Sequence, residues 1–400
     1  MKPNRNITDV LFEKGDLSQM DRMGIYRWDI VMVHDCNLRC AYCATAHGNF
    51  GQAEKVMSLE TAKALAERIV QYADSTRMTV SLGFGGGESF LHFDHFITIY
   101  DLIANACHAK GIRVQTLVAT NGTLLDEARF QKLITRRINL GFSIDGPEDV
   151  HDANRRTAGG QGTFQTAFAN WQRYRVLMQE EGSSPEGFIH SMFSLKSGAL
   201  KDICAFWLQQ GIPLNDVVPV NPSRFSDAAD RRNVKHIQDA YLKGLREWAL
   251  EQAGTCTAMT FLRDYRGPKG IFEGWRRLLL GEENTFCTPA RGVLGVGCDG
   301  DLYPCEPYIG ISQWKLGDLF NGIDAEKVSA FVKCCEDAQA HCEGCRHRKV
   351  CGKACFGIVA TDTPSQNVKR GCRTVAKRDA RIMEESFRKL MRNKNRGDCV

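Results

Sequence analysis

Nowhere in the 400 residues does an apolar run approach the roughly 20 needed to cross a bilayer, so no membrane-spanning helix is expected. The first residues, MKPNRNITDVLFEKGDLSQ, lack the apolar stretch of an export signal, and a cytoplasmic protein is expected. Low-complexity tracts are missing, as is any repeat beyond an alternation of strands and helices. No RNA-binding module is recognisable, so a nucleic-acid partner is not expected. Strong charge is lacking too: the net value is +5. Much of it sits in residues 364–400, with eleven Lys or Arg against four Asp or Glu. That stretch reads as a solvated amphipathic helix before it reads as a binding arm.

Cysteine is not scarce. Seventeen in a chain without an export signal argue against disulfides, because a reducing compartment keeps thiols free, and for metal or redox work. Three fall between Cys36 and Cys43 and ten between Cys287 and Cys372, with only Cys107, Cys204 and Cys256 in the long stretch between. Clustering of this kind points to two metal-binding regions.

Between the clusters, apolar runs of strand length alternate with helix-period segments. Ile30–Val33, Met78–Phe84, Val114–Ala119, Leu140–Ile144, Phe188–Leu195 and Val217–Val220 read as strands. A helix should start after the N-cap Ser58 and bury Ala62, Leu65, Ile69 and Tyr72. Others are expected at Phe93–Lys110, Ala128–Thr135, Phe164–Met178, Ala199–Gln210 and His236–Gln252. Six such repeats imply right-handed crossovers and a parallel sheet, too few to close an eight-fold barrel. The expected organisation is an extension (1–26), an α/β partial (βα)6 TIM-like barrel (27–252), a connector (253–286), a cysteine-rich domain (287–375) and a basic tail (376–400).

The first strand runs into HDCNLRCAYC. Cys36, Cys40 and Cys43 can hold three irons of a four-iron cluster and leave the fourth open. Zinc would require a fourth ligand, for which His34 and His47 are the candidates. CNLRCAYC resembles the signature of the radical S-adenosylmethionine (SAM) superfamily. The resemblance implies that the open iron chelates SAM and that one electron splits it to a 5′-deoxyadenosyl radical. It also implies that Tyr42 lies near the adenine. Gly86, Gly87 and Glu88 in GFGGGES are similar to the family's Gly-Gly-Glu, which would meet the SAM amino group; Ser89 replaces the family's proline. Asn121 in VATNG ends the third strand at the same level, and with Asp145 has simple turn-making as its alternative role. Ser143 and Arg155 in FSIDGPEDVHDANRR match the residues that bind the SAM carboxylate in the SPASM branch, named for its C-terminal cluster domain. An Arg fork suits a carboxylate.

Cys287, Cys305, Cys342, Cys345, Cys351, Cys355 and Cys372 resemble the SPASM motif in order and spacing. The resemblance implies two auxiliary clusters, expected as four-iron groups. Cys342, Cys345, Cys351 and Cys372 would close the outer one, and Cys287, Cys305 and Cys355 would hold the inner one. Cys298 either supplies the inner cluster's fourth ligand or leaves an iron open. Three cluster sites and SAM are thus the expected cofactors.

SPASM enzymes mainly modify peptides. The continuation YCATAHGNFG…VMSLETAKAL resembles maturases that form thioether or carbon–carbon cross-links in ribosomal peptides, and this is the leading expectation. The alternative is an anaerobic sulfatase-maturating enzyme oxidising Cys or Ser to formylglycine. Those enzymes carry an Asp directly after the equivalent of Cys305, where this chain has Glu306, a candidate general base or a plain surface carboxylate. A non-catalytic iron–sulfur electron carrier would need neither Gly86–Glu88 nor Arg155. Implied partners are a precursor peptide, a flavodoxin- or ferredoxin-type electron donor and, for leader recognition, a separate protein or the barrel itself.

Overall fold

The computed structural model describes residues 25–73, 79–182, 188–211, 217–220, 228–251, 290 and 292–340, with positions 343, 345, 385 and 388. Six parallel strands lie in chain order: β1 (Arg27–Ile30), β2 (Thr79–Phe84), β3 (Arg113–Thr120), β4 (Ile138–Ser143), β5 (Phe188–Phe193) and β6 (Val217–Pro219). Between and after them come α1 (Leu59–Tyr72), α2 (Phe93–His108), α3 (Glu127–Ile134), α4 (Glu148–Asn154), α5 (Phe164–Glu180), α6 (Leu200–Gln209) and α7 (Ala228–Glu251). This is the expected α/β partial barrel.

Period-two alternation assigns each strand a helix-facing and an inner side. On β2 the helix-facing set is Val80, Leu82 and Phe84; Phe84 meets Phe96 of α2 edge-on, with ring centroids 5.1 Å apart. Phe142 of β4 packs on Tyr174 of α5 at 5.7 Å, and Trp28 of β1 stacks on Tyr72 of α1 at 6.3 Å. Burial of these large rings is the main stabilising contribution, about 1.5–3 kcal/mol for each large apolar side chain. α1 begins where its cap demands: the Ser58 Oγ accepts from the Thr61 N–H at 3.0 Å.

The expected boundary between barrel and cysteine-rich domain is crossed by a strand. β7 (Val293–Val296) pairs parallel with β1, Arg27 opposite Val293 and Ile30 opposite Val296. β8 (Asp301–Tyr303), β9 (Gly317–Asp318) and β10 (Gly322–Ile323) then continue the sheet antiparallel, and α8 (Ala325–Ala340) follows. β1 is therefore central rather than an edge, and it runs from Arg27 to Ile30 rather than over the expected Ile30–Val33. α4 was not expected at all. It is short, and its sequence EDVHDAN carries one apolar position of helical weight, Val150. Among the described residues no helix is long and apolar enough to cross a membrane.

Candidate active site

β1 delivers Cys36, Cys40 and Cys43 in a loop at the C-terminal ends of the parallel strands, where such sheets place their sites. The loop closes against the end of β2 by direct backbone contact. A Cβ on Gly87 would stand 2.5 Å from the Val33 carbonyl oxygen and closer still to that of Asp35. A Cβ on Gly48 would stand 2.7 Å from the Gly87 Cα. Only glycine permits this approach. Ala46, His47 and Phe50 hold positive φ values of 50°, 61° and 55°. Backbone strain of this kind is stored where surrounding structure over-determines it.

The three thiols are half-buried and lie close enough that Cys40 and Cys43 disfavour ionisation of Cys36. Burial, the larger cause, pushes the Cys36 thiol up to about 12. Donors surround the sulfurs: the Leu38 N–H reaches Cys36 Sγ at 3.4 Å and the His47 N–H reaches Cys43 Sγ at 3.0 Å. Asn121 Nδ2 lies 3.8 Å from Cys36 Sγ and donates to Asn37 Oδ1 at 2.8 Å. Amide donors aimed at sulfur suit thiolates that ligate a cluster. Among the described residues no three His, Cys, Asp or Glu side chains close on a point where one metal ion would sit. His47 contributes its backbone to the site, and His34 is buried against Phe50 at a centroid separation of 5.7 Å. The donor set fits a cluster better than a lone zinc ion.

Arg155, at the end of α4, is buried with Asp145, its Nε 3.0 Å from Asp145 Oδ1. Its guanidinium carbon lies 5.3 Å from the centre of the Tyr42 ring, and the Tyr42 hydroxyl donates to the other Asp145 oxygen. The Met192 N–H donates to Asp145 Oδ1 at 3.0 Å. Burial opposes the charge on Arg155, but Asp145 outweighs it and holds the guanidinium protonated. Arg155 also hydrogen-bonds the Cys40 thiol. The expected pair of Tyr42 and Arg155 thus meets beside the cysteine loop, organised by Asp145. Sequence reading gave Asp145 a turn-making alternative; its signal was an acid ten positions before Arg155, an interval whose meaning depends on α4.

Glu88 is held by the protein's own donors. Its carboxylate is buried and accepts from the Asn121 N–H at 2.8 Å, the Phe90 N–H at 3.1 Å and the Thr120 hydroxyl at 3.1 Å. It clamps the end of β2 to the end of β3. Burial pushes it up to about 7. Gly86 has φ +88°, and its carbonyl accepts from Thr45 Oγ1 at 2.9 Å. Ser143 ends β4 half-buried on the inner face, opposite His190 of β5 in the ladder. Sequence reading missed His190. Desolvation inside the barrel, reinforced by the Arg155 charge, holds its imidazole below the ordinary value.

Glu306 follows β8 and begins a single 3-10 turn, Glu306–Tyr308. Its Oε1 lies 3.8 Å from where a Cβ on Gly85 would be, so the carboxylate reaches over the inner face of β2. The backbone N–H of Glu306 donates to Asp29 of β1, which also accepts from Arg27 Nε at 2.7 Å. Burial, then the Asp29 charge, pushes Glu306 up to about 7. It is no plain surface carboxylate.

Cys305 lies half-buried beside Gly295. Cys298 is not its neighbour: it sits in the turn at the far end of the β7–β8 ladder, whose pairs are Val296–Leu302 and Gly295–Tyr303. The Cys298 thiol is 1% exposed, donates to the Val31 carbonyl at 3.2 Å, and is pushed up to about 12 by burial. This geometry places Cys298 and Cys305 at opposite ends of the β7–β8 ladder. Cys345 is described; Cys287, Cys342, Cys351, Cys355 and Cys372 lie outside the described residues.

Residues 30–183 match the model of the radical SAM superfamily. The cysteine-type anaerobic sulfatase-maturating enzyme of Clostridium perfringens (strain 13) is 23% identical over 344 residues, covering 80% of this chain and 85% of that one. The serine-type enzyme of Bacteroides thetaiotaomicron is 23% identical, covering 72% and 70%. The solved structure of native anSMEcpe with bound AdoMet and the Cp18Cys peptide superposes with TM-score 0.70 at 19% identity, over 92% of this chain and 98% of that one. That of Streptococcus suis SuiB bound to S-adenosylmethionine gives 0.50 at 13%, over 87% and 77%.

Proposed function

We propose that this chain, whose residues 30–183 match the radical SAM superfamily, is a radical SAM enzyme that oxidises a cysteine or serine side chain of a peptide or protein, as sulfatase-maturating enzymes do. The sequence relatives that span most of the chain, of both the cysteine and serine types, favour this over the cross-linking maturase expected from the sequence. The observation that carries the reading is Glu306, a carboxylate held over Gly85 on the inner face of the barrel.

Cys36, Cys40 and Cys43 would hold the SAM-binding cluster, and Cys305 would contribute to an auxiliary one. When bound, the cluster and SAM supply a one-electron cleavage whose carbon radical removes a hydrogen atom from the substrate. The protein's part is placement and proton handling. Tyr42 and Arg155, fixed by Asp145, offer an aromatic face and a cation for the two ends of SAM. Gly85–Gly87 present backbone without side chains. Glu306, pushed up to about 7, would take the thiol or hydroxyl proton, and the second electron would pass to the auxiliary cluster that Cys305 would help hold; from a cysteine, water then replaces sulfur with loss of hydrogen sulfide.

The test is anaerobic incubation of the reconstituted enzyme with SAM, dithionite and synthetic peptides carrying one central cysteine or serine. An aldehyde on that residue, read by mass spectrometry, is the expected product; an internal cross-link instead would restore the maturase reading. Changing Cys36, Cys40 and Cys43 together to Ala should remove about four irons and all SAM cleavage while auxiliary-cluster absorbance persists. Full SAM cleavage in that variant would overturn the assignment.

A further inference from the structure

In a packed barrel, branched side chains fill the interior in layers. Here the register places the opposite composition on the inner face. Gly83 of β2, Gly85 just past its end, Ala119 of β3 and Gly141 of β4 occupy neighbouring inner positions: Gly83 stands opposite Leu117, the one large apolar side chain among them, and Ala119 opposite Gly141. Contacts confirm that these residues share a face. A Cβ on Gly85 would lie 3.9 Å from the Ala119 Cβ, and one on Gly83 would lie 3.1 Å from Asp29 Oδ1. Four positions with at most one side-chain carbon make the inner face a shallow well beside Glu306, with Leu117 at its lower edge.

Two carboxamides stand on the same face, Asn139 level with Gly83 and Leu117 and Gln115 one layer below. Asn139 of β4 pairs in register with Leu117, and Gln115 of β3 pairs with Ser81. Both are exposed, and among the described residues neither side chain makes a hydrogen bond. Their helix-facing neighbours Thr116, Ile138 and Leu140 are buried. A carboxamide offers one acceptor and two donors, the complement of a peptide group.

We propose that this well is the substrate's seat: it admits the peptide chain beside the oxidised residue, and Asn139 with Gln115 hydrogen-bonds its amide groups. The inference rests on the peptide-oxidase reading and adds to it the residues that recognise the substrate. It makes Asn139 and Gln115 binding residues and Ala119 the position that keeps the well open.

The experiment measures binding of a fluorescein-labelled peptide with one central cysteine to the anaerobic, iron-loaded enzyme with SAM. Iron content and SAM affinity serve as controls of folding. Asn139→Leu preserves shape and removes the amide; a loss of about tenfold in peptide affinity is expected, as for one hydrogen bond with about 1.4 kcal/mol of net value. Ala119→Leu fills the well and should abolish binding. If the wild type makes aldehyde and both variants bind within twofold of it, the seat is elsewhere and the inference fails while the reaction stands. If the wild type binds peptide, the variants do not, and no aldehyde forms, the seat stands and the oxidation reading fails.

Discussion

Asp145 and Arg155 are buried together, and the arrangement sets the consequences of changing either. Removing one partner of a buried pair leaves the other charge uncompensated, which costs about 3–5 kcal/mol. Arg155→Ala should therefore lower stability by about that much and weaken SAM binding; an unchanged thermal midpoint with unchanged SAM affinity would exclude it from the site. Glu306 carries a pH prediction. Its folded pKa is raised from 4.5 to about 7, so the carboxyl keeps its proton through most of the acidic range and becomes a competent base only as pH rises through about 7. Product formation should rise across that window, and Glu306→Gln should flatten the rise while SAM cleavage continues. The same raised pKa means that Glu306 makes folding less favourable as pH rises from 4.5 to about 7, because the folded state holds the proton more tightly. Glu88, also raised to about 7, acts in the same direction.

The cysteine loop is an element held by close backbone packing. Gly87 meets two carbonyl oxygens of the β1-to-loop segment, so Gly87→Ala cannot be absorbed by a side-chain shift. Such a substitution belongs to the class that costs 4 kcal/mol or more, of that order at least. It should leave a protein that retains little iron at the first cluster, measured by iron content of the SPASM-intact chain. Iron at wild-type level would show that the loop can retreat. The neighbouring signature GGGES was legible in the sequence as a motif, and its residues do lie against the cysteine loop. What was not legible was the direction of the Glu88 side chain, which depends on the Thr120 hydroxyl and the Asn121 N–H arriving from the next strand.

For the whole molecule, the pairing of β7 with β1 joins the two regions into one ten-stranded sheet. Ending the chain after residue 286 would make β1 an edge strand with its β7-facing N–H and C=O groups unpaired, and such an open edge is an aggregation hazard. The prediction is that residues 1–286 alone do not yield a monomeric folded barrel; a cooperative unfolding transition and monomeric elution from that fragment would refute it. The sheet also brings Glu306, 218 positions after Glu88 in the chain, over the glycines of β2. A site assembled from both regions needs both regions present.

Local chemistry in the sequence determined the element types and the candidate ligands of a first cluster. Hydrophobic alternation is a property of consecutive residues, and Cys36, Cys40 and Cys43 are spaced within a single loop. Strand centres, the Ser58 cap and most helices followed from the same short-range signals. Tertiary structure alone decided that Asp145 organises Arg155 and Tyr42, that Cys298 lies apart from Cys305, and that glycines and carboxamides share the inner face. Those outcomes depend on the register between strands remote in sequence, and register is set by how whole faces pack rather than by any neighbouring residue.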